Sequence, residues 1–338
     1  MRYTRKKFLV ALRMGAVEGD FWDMNSFETP FRHVFHSGGI GRCIQSIGKA
    51  NILQGMEVMK MRSLRGILLI LFCSLLFAPF LFAAPQEKVN EPMIGSKDLI
   101  LTIVYDNNPY DRRLETRWGF SCYIKGLEKT ILFDVGGEGL VLLSNMQKLK
   151  IDPKTVDAIV LSHIHHDHIG GLSDFLGQNH HVEVFMPQSL PQSVKDKVKL
   201  AGAKPVGVHK PTKICKNVYS TGELGTFIRE ESLIIKTSRG LILITGCAHP
   251  GIVNIVKKAK ELLSSEVYLV LGGFHLCWMN LSQVKKIIRG VKKEGVQKVA
   301  PCHCSGDLAR KQFEKAYGKD FILVGVGKTI TIKDAFSF

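Results

Sequence analysis

"DAIVLSHIHHDHIGG" (residues 157–171) passes from an apolar run into six positions, 163–168, that hold four histidines and an aspartate. The run "DAIVL" reads as a short buried strand, so the histidines begin where that strand ends, on a loop held by a sheet. In extended backbone His163 and His165 point to the same side and can grip one ion. Asp167 and His168 follow at once, before the turn at Gly170 and Gly171, where they can address a second ion; His166 faces out. Neutral imidazole nitrogens with one carboxylate suit zinc, with iron or manganese as alternatives when oxygen donors are added. Two ions about 3.5–4 Å apart would hold a bridging hydroxide near neutral pH and polarise a carbonyl or phosphoryl oxygen. A histidine-rich turn without metal is the weaker reading, because crowded imidazoles repel when protonated and leave costly unsatisfied nitrogens when buried neutral.

Outward from this loop, β-rich runs alternate with helix-period segments. Strands are expected at 99–106, 119–126, 129–136, 157–163, 182–187, 231–238, 240–247, 267–273, 298–303 and 321–332. Helices are expected near 138–149, 189–201, 251–263, 281–293 and 306–317. In the last but one, Leu281, Val284, Ile287, Ile288 and Val291 form a single apolar stripe that must cover a sheet face. No fixed-period repeat interrupts the pattern, so a single catalytic domain is expected over 95–338. "SHIHHDH", "GCAHPG", "GGFHL" and "PCHC" each close an expected strand, and loops at strand ends can turn side chains inward while the sheet fixes their bases.

The formal net charge is +16, and without the first 66 residues 35 basic and 25 acidic side chains remain. Lysines cluster over 195–216, but no aromatic residues interleave with them as stacking platforms would require, so no nucleic-acid partner is expected. Residues 67–84, "ILLILFCSLLFAPFLFAA", follow a basic segment and precede a polar stretch. This is the pattern of a signal peptide over 59–84, or of an uncleaved anchor, and it predicts an exported (periplasmic or extracellular) or membrane-anchored protein whose contact with the membrane is confined to that segment. Residues 1–58 show no sustained periodicity and precede Met59 and Met61, so they are expected to be a misassigned or disordered extension. Cys122, Cys215, Cys247, Cys277, Cys302 and Cys304 follow the leader, an even number that could pair or remain as thiols.

The motif His163-x-His165-x-Asp167-His168 after "ILFDVGG" resembles the metallo-β-lactamase superfamily. "TGELG", "GCAHPGIVNIV", "GGFHL" and "PCHCSG" resemble a narrower subgroup, named after the dihydropterin-ribofuranosylaminobenzene phosphate synthase of methanopterin biosynthesis. The resemblance implies an α/β fold, a four-layer αββα sandwich, carrying a dinuclear site, with Asp134 supporting the metal loop from behind. It also implies His303 as the last ligand. His249, between a buried strand and a helix that Pro250 can start, is a further expected ligand. His275 is expected to face substrate as a proton donor or anion contact, with metal binding or a satisfied structural histidine as the alternatives, and Asp167 is the other catalytic group. Where many members carry a bridging Asp in a "GD" pair, this chain has Gly246-Cys247; Cys247 is therefore placed behind the ligands, and Glu223 is the nearest acidic substitute. Arg112, Arg113 and Trp118, in the long loop after the first strand, are candidate contacts for a small, possibly anionic, substrate.

These readings point to a hydrolase that uses a metal-bound hydroxide on an ester, lactone, amide or phosphate. A pterin-diphosphate-dependent transferase, and a non-catalytic metal- or ligand-binding protein, are the alternatives.

Overall fold

The computed structural model describes residues 98–333; the extension expected at 1–58 and the leader or anchor expected at 59–84 lie outside them. One sheet has seven strands: β1 (Asp98–Asp106), β2 (Phe120–Lys125), β3 (Ile131–Phe133), β4 (Ala158–Val160), β5 (Glu183–Pro187), β6 (Lys204–Val208) and β13 (Thr329–Lys333), in the spatial order β13-β1-β2-β3-β4-β5-β6. The other has six: β7 (Thr212–Cys215), β8 (Val218–Ser220), β9 (Leu233–Thr237), β10 (Gly240–Thr245), β11 (Val267–Gly273) and β12 (Lys298–Cys302), in the order β12-β11-β10-β9-β8-β7. Strands β3 to β6 run parallel, as do β10 to β12, so each parallel block directs its strand ends to a common edge.

Side-chain alternation explains the layering. In β1, Leu99, Leu101 and Ile103 enter the core between the sheets, and in β10 Ile242 and Ile244 face them across it. The opposite faces are covered by helices. Helices α1 (Gly139–Lys148), α3 (Leu172–Gln178) and α4 (Gln192–Leu200) pack Leu142, Phe175 and Val198 against Ile159 and Val184 of the first sheet. Helices α5 (Ile252–Leu263), α6 (Leu281–Lys293) and α7 (Gly306–Tyr317) pack Ile255, Val284 and Phe313 against Leu243 and Val270 of the second. The result is the αββα sandwich that the sequence suggested. A short helix, α2 (His166–Ile169), carries the histidine loop.

Helices α6 and α7 and strand β11 occupy the expected residues, whereas β3, β4, β10 and β12 are shorter than expected. Strands β3 and β4 last three residues each, because Asp134 takes a left-handed backbone (φ 56°) and the chain turns away after Leu161. Of the strand expected over 321–332, only its end is regular; Phe321 and Val326 make single bridges to Val299 and Pro109. Strands β6 and β7, in the lysine-rich stretch, and β8 just after it were not expected. The first two are sheet edges, where one apolar side suffices and lysine on the other discourages further pairing. No helix among the described residues is long and apolar enough to cross a membrane.

Candidate metal centre

At the edge where β4, β10, β11 and β12 end, two groups of donors abut. One is Asp167, His168, Cys247 and His303; the other is His163, His165 and His249. Within each group the donor atoms lie within 4.8 Å of one another, and the rings of His163 and His168 are 4.2 Å apart. His163, His168, Cys247 and His303 are buried, Asp167 and His249 half-buried, and His165 reaches toward solvent while His166 is exposed.

The ring nitrogens pointing away from the cluster are tied down. Asp134 accepts from His168 Nδ1 at 2.7 Å, and also from the backbone and hydroxyl of Ser162 at 2.7 and 2.8 Å. With its own proton so engaged, Ser162 Oγ accepts from His163 Nδ1 at 2.9 Å. Glu230 accepts from His249 Nδ1 at 2.9 Å and from the backbone N–H groups of Cys247, Ala248 and His249 at 2.8–2.9 Å. Asn107 Oδ1 accepts from His303 Nδ1 at 2.9 Å. Four imidazoles are thus held with Nε2 turned inward, the arrangement that outer partners impose on metal-binding histidines. His303 Nε2 is buried without a hydrogen bond, 3.2 Å from Asp167 Oδ2, and His168 Nε2 lies 3.2 Å from Cys247 Sγ. An orphaned nitrogen, a carboxylate and a thiol converging on one point fit a divalent cation.

Electrostatics agree with that fit. Burial, reinforced by the neighbouring histidines, pushes the His163 pKa well below the ordinary value and keeps its ring neutral. Burial also leads the downward shift of His165, followed by the effect of His249. For His168 burial opposes charge, but Asp134 and Asp167 outweigh it and lift the pKa to about 10, placing a proton where a cation would sit. Burial likewise opposes charge on Asp167, yet His168 and His303 hold its carboxyl well below the usual range. Glu230 is fully buried and still lowered, because His249 and the backbone donors offset the desolvation.

The remaining expected residues divide. Cys247, expected behind the ligands, instead presents Sγ among the donors, at the place where the missing bridging carboxylate was sought. Glu223 requires correction: it is outside both groups, its carboxylate occupied by Ser189 N at 2.6 Å and His209 Nδ1 at 2.8 Å, with Arg229 nearby. Trp118 reaches the site, its ring 4.9 Å from that of His303 and 52% exposed. Arg113 is turned into a two-pronged pair with Asp111 at 2.5 and 3.0 Å, and no contact brings it or the exposed Arg112 to the donors. His275 is close, its ring 4.4 Å from that of His249, and Cys247, His275 and Cys304 form a third group of clustered donors. Hydrogen bonding to Cys304 and burial raise the Cys247 thiol, whereas Cys304, although burial opposes it, is drawn well below the ordinary thiol value by Cys247 and His275. All six cysteines among the described residues are free.

Sequence reasoning gave no role to Glu230, Ser162 or Asn107. Glu230 sits beside a second glutamate in "REES" with no motif spacing to mark it, and only the fold carries it under the 247–249 turn. Ser162 could have been noticed as the residue joining strand β4 to His163.

Residues 119–252 match the family model described as the metallo-beta-lactamase superfamily. The chain is 29% identical to the 7,8-dihydropterin-6-methyl-4-(beta-D-ribofuranosyl)-aminobenzene-5'-phosphate synthase of Methanocaldococcus jannaschii, over 68% of this chain and 95% of that protein. Among solved structures it resembles Tm1679, a metal-dependent hydrolase of the beta-lactamase superfamily, at 26% identity and a TM-score of 0.60, covering 70% of this chain and all of that one. The fold is shared with the metallo-beta-lactamase fold protein YhfI of Bacillus subtilis, at 13% identity and a TM-score of 0.54, over 69% of this chain and 99% of that one.

Proposed function

We propose that the chain, which matches the metallo-beta-lactamase superfamily over residues 119–252, is a metal-dependent hydrolase acting on an ester, lactone, amide or phosphate bond of a small molecule. The observation that carries this reading is the pair of abutting donor groups, Asp167, His168, Cys247 and His303 beside His163, His165 and His249. Bound ions, zinc by the nitrogen, oxygen and sulfur character of these donors, would supply Lewis acidity and an activated water.

The chain's own residues supply orientation and proton handling. Asp134, Ser162, Glu230 and Asn107 fix the ring planes, so the inward nitrogens do not have to reorganise during reaction. Asp167 keeps its carboxylate ionised between His168 and His303, in place to orient the attacking water by accepting a hydrogen bond from it. His275, half-buried beside His249, is placed to return a proton to the leaving group. Trp118 offers an exposed aromatic face at the mouth, over His303, for a planar part of the substrate.

A transferase reading is favoured by one observation, the coverage of nearly the whole methanopterin-pathway synthase by this chain. The test is a panel of aryl esters, lactones and phosphodiesters with the zinc-loaded chain and water as sole acceptor. Turnover that falls at least 100-fold in Asp167→Ala/His168→Ala supports the hydrolase. Activity appearing only with a second, nucleophilic substrate supports the transferase instead.

A further inference from the structure

Cys247, His275 and Cys304 stand at equal distances past three neighbouring parallel strands. Strand β10 ends at Thr245, β11 at Gly273 and β12 at Cys302, and each donor lies two residues beyond its strand end. Gly273 pairs with Cys302, and Thr245 with Gly272, one residue before the end of β11, so near-equal offsets on adjacent parallel strands bring the three donor atoms within 4.8 Å of one another. The approach depends on Gly273, where a Cβ would come within 2.7 Å of Cys304 Sγ and 2.3 Å of Gly246 O. His275 adopts a left-handed backbone (φ 54°), and its buried Nδ1 has no hydrogen-bond partner. The backbone N–H of His275 approaches Cys304 Sγ at 3.3 Å, a contact that suits an electron-rich sulfur.

We propose that Cys247, His275 and Cys304 form a third metal position, selective for a thiophilic cation such as zinc, cadmium or copper(I), with Cys247 Sγ shared with the Asp167, His168 and His303 group. Two sulfurs and one imidazole disfavour magnesium, calcium and manganese, and a thiolate can bridge two soft ions. Binding releases the thiol protons to solvent and leaves the oxidation state of metal and sulfur unchanged. An ion there gives the His275 ring, whose buried Nδ1 has no hydrogen-bond partner, a ligand role beside the two sulfurs. It also withdraws His275 from proton transfer, so the position is a natural brake on the proposed reaction when thiophilic metal is abundant.

The position rests on the proposed metal centre only through the shared Cys247, and Cys304 separates the two because it belongs to the third group alone. Cobalt(II) is titrated into the full chain, and bound metal and the thiolate-to-cobalt charge-transfer band are compared in wild type, Cys304→Ser and His163→Ala. The expected result is one ion fewer per chain and a weakened band in Cys304→Ser, with the cysteine-dependent part of the band intact in His163→Ala. Cadmium NMR of the unmutated chain, which avoids any folding defect, should show one resonance typical of coordination by two thiolates. Equal ion counts and equal bands in wild type and Cys304→Ser, or no such cadmium resonance, would overturn the proposal. Failure of the dinuclear reading would appear separately, as a His163→Ala variant that binds as much cobalt as wild type.

Discussion

At the residue scale, Glu230 supports the donors from behind, while Glu223, the acidic residue offered as a substitute ligand, lies outside both groups. The two carboxylates lie seven positions apart, yet one holds the His249 ring and the turn before it, while the other is spent on Ser189 and His209. Glu230→Gln removes the charge while keeping an acceptor oxygen, and is expected to weaken zinc binding about 10–100-fold, the usual effect of losing an outer partner of a ligating histidine. Glu223→Ala is expected to leave affinity unchanged. Competition with a chromophoric chelator measures both, and a reversed order would contradict the assignment. His163, His165, Asp167 and His168 were legible because they are adjacent in sequence and strand geometry orders them. Glu230 and Asn107 were not, since their roles arise from contacts across 19 and 196 positions of chain.

At the element scale, the helices that cover the second sheet were the most legible. The apolar stripe of α6 repeats at helical spacing, and Asn280 with Gln283 closes a capping box at its start. Strands β6 and β7 were obscured because lysines interrupt the alternation by which a half-buried strand is recognised, and β8 because it is only three residues long. The strand ends that build the site were read as longer than they are, for the same residues must pair in a sheet and then turn. Gly246 shows why the turn after β10 has no alternative: a Cβ there would lie 2.1 Å from Ser162 Oγ and 3.0 Å from Asp134 Oδ2. A glycine in that place lets the end of β10 approach the Asp134–Ser162 pair that follows β3 and β4.

At the scale of the whole molecule, the sandwich bears the cost of polar groups buried beneath the donors. Glu231 is fully buried, bonded to the Ser220 hydroxyl, and its second oxygen has no partner; burial leads the rise of its pKa from 4.5 to about 8. A raised folded-state pKa means that the folded chain retains a proton the unfolded chain releases near 4.5. Stability is therefore highest below that value and declines as pH rises toward 8, by at most roughly 1.4 kcal/mol per pH unit. Glu231→Gln should flatten this decline between pH 5 and 8 in denaturant titrations, about the two limits set by 4.5 and 8. An unchanged slope would mean that the carboxyl is ionised in the fold. The alternation of strands and helices was legible from periodicity, whereas the four-layer αββα arrangement came from the resemblance of His163-x-His165-x-Asp167-His168 and the later motifs to the superfamily.

The central claim is that chemistry resides in metal held by two abutting donor groups, and it is tested most directly by measuring bound metal and hydrolysis on one preparation. Chelation should abolish turnover of a responsive ester or phosphodiester in step with metal loss, and added zinc should restore it. Full turnover by a chain shown to be free of metal would contradict the account.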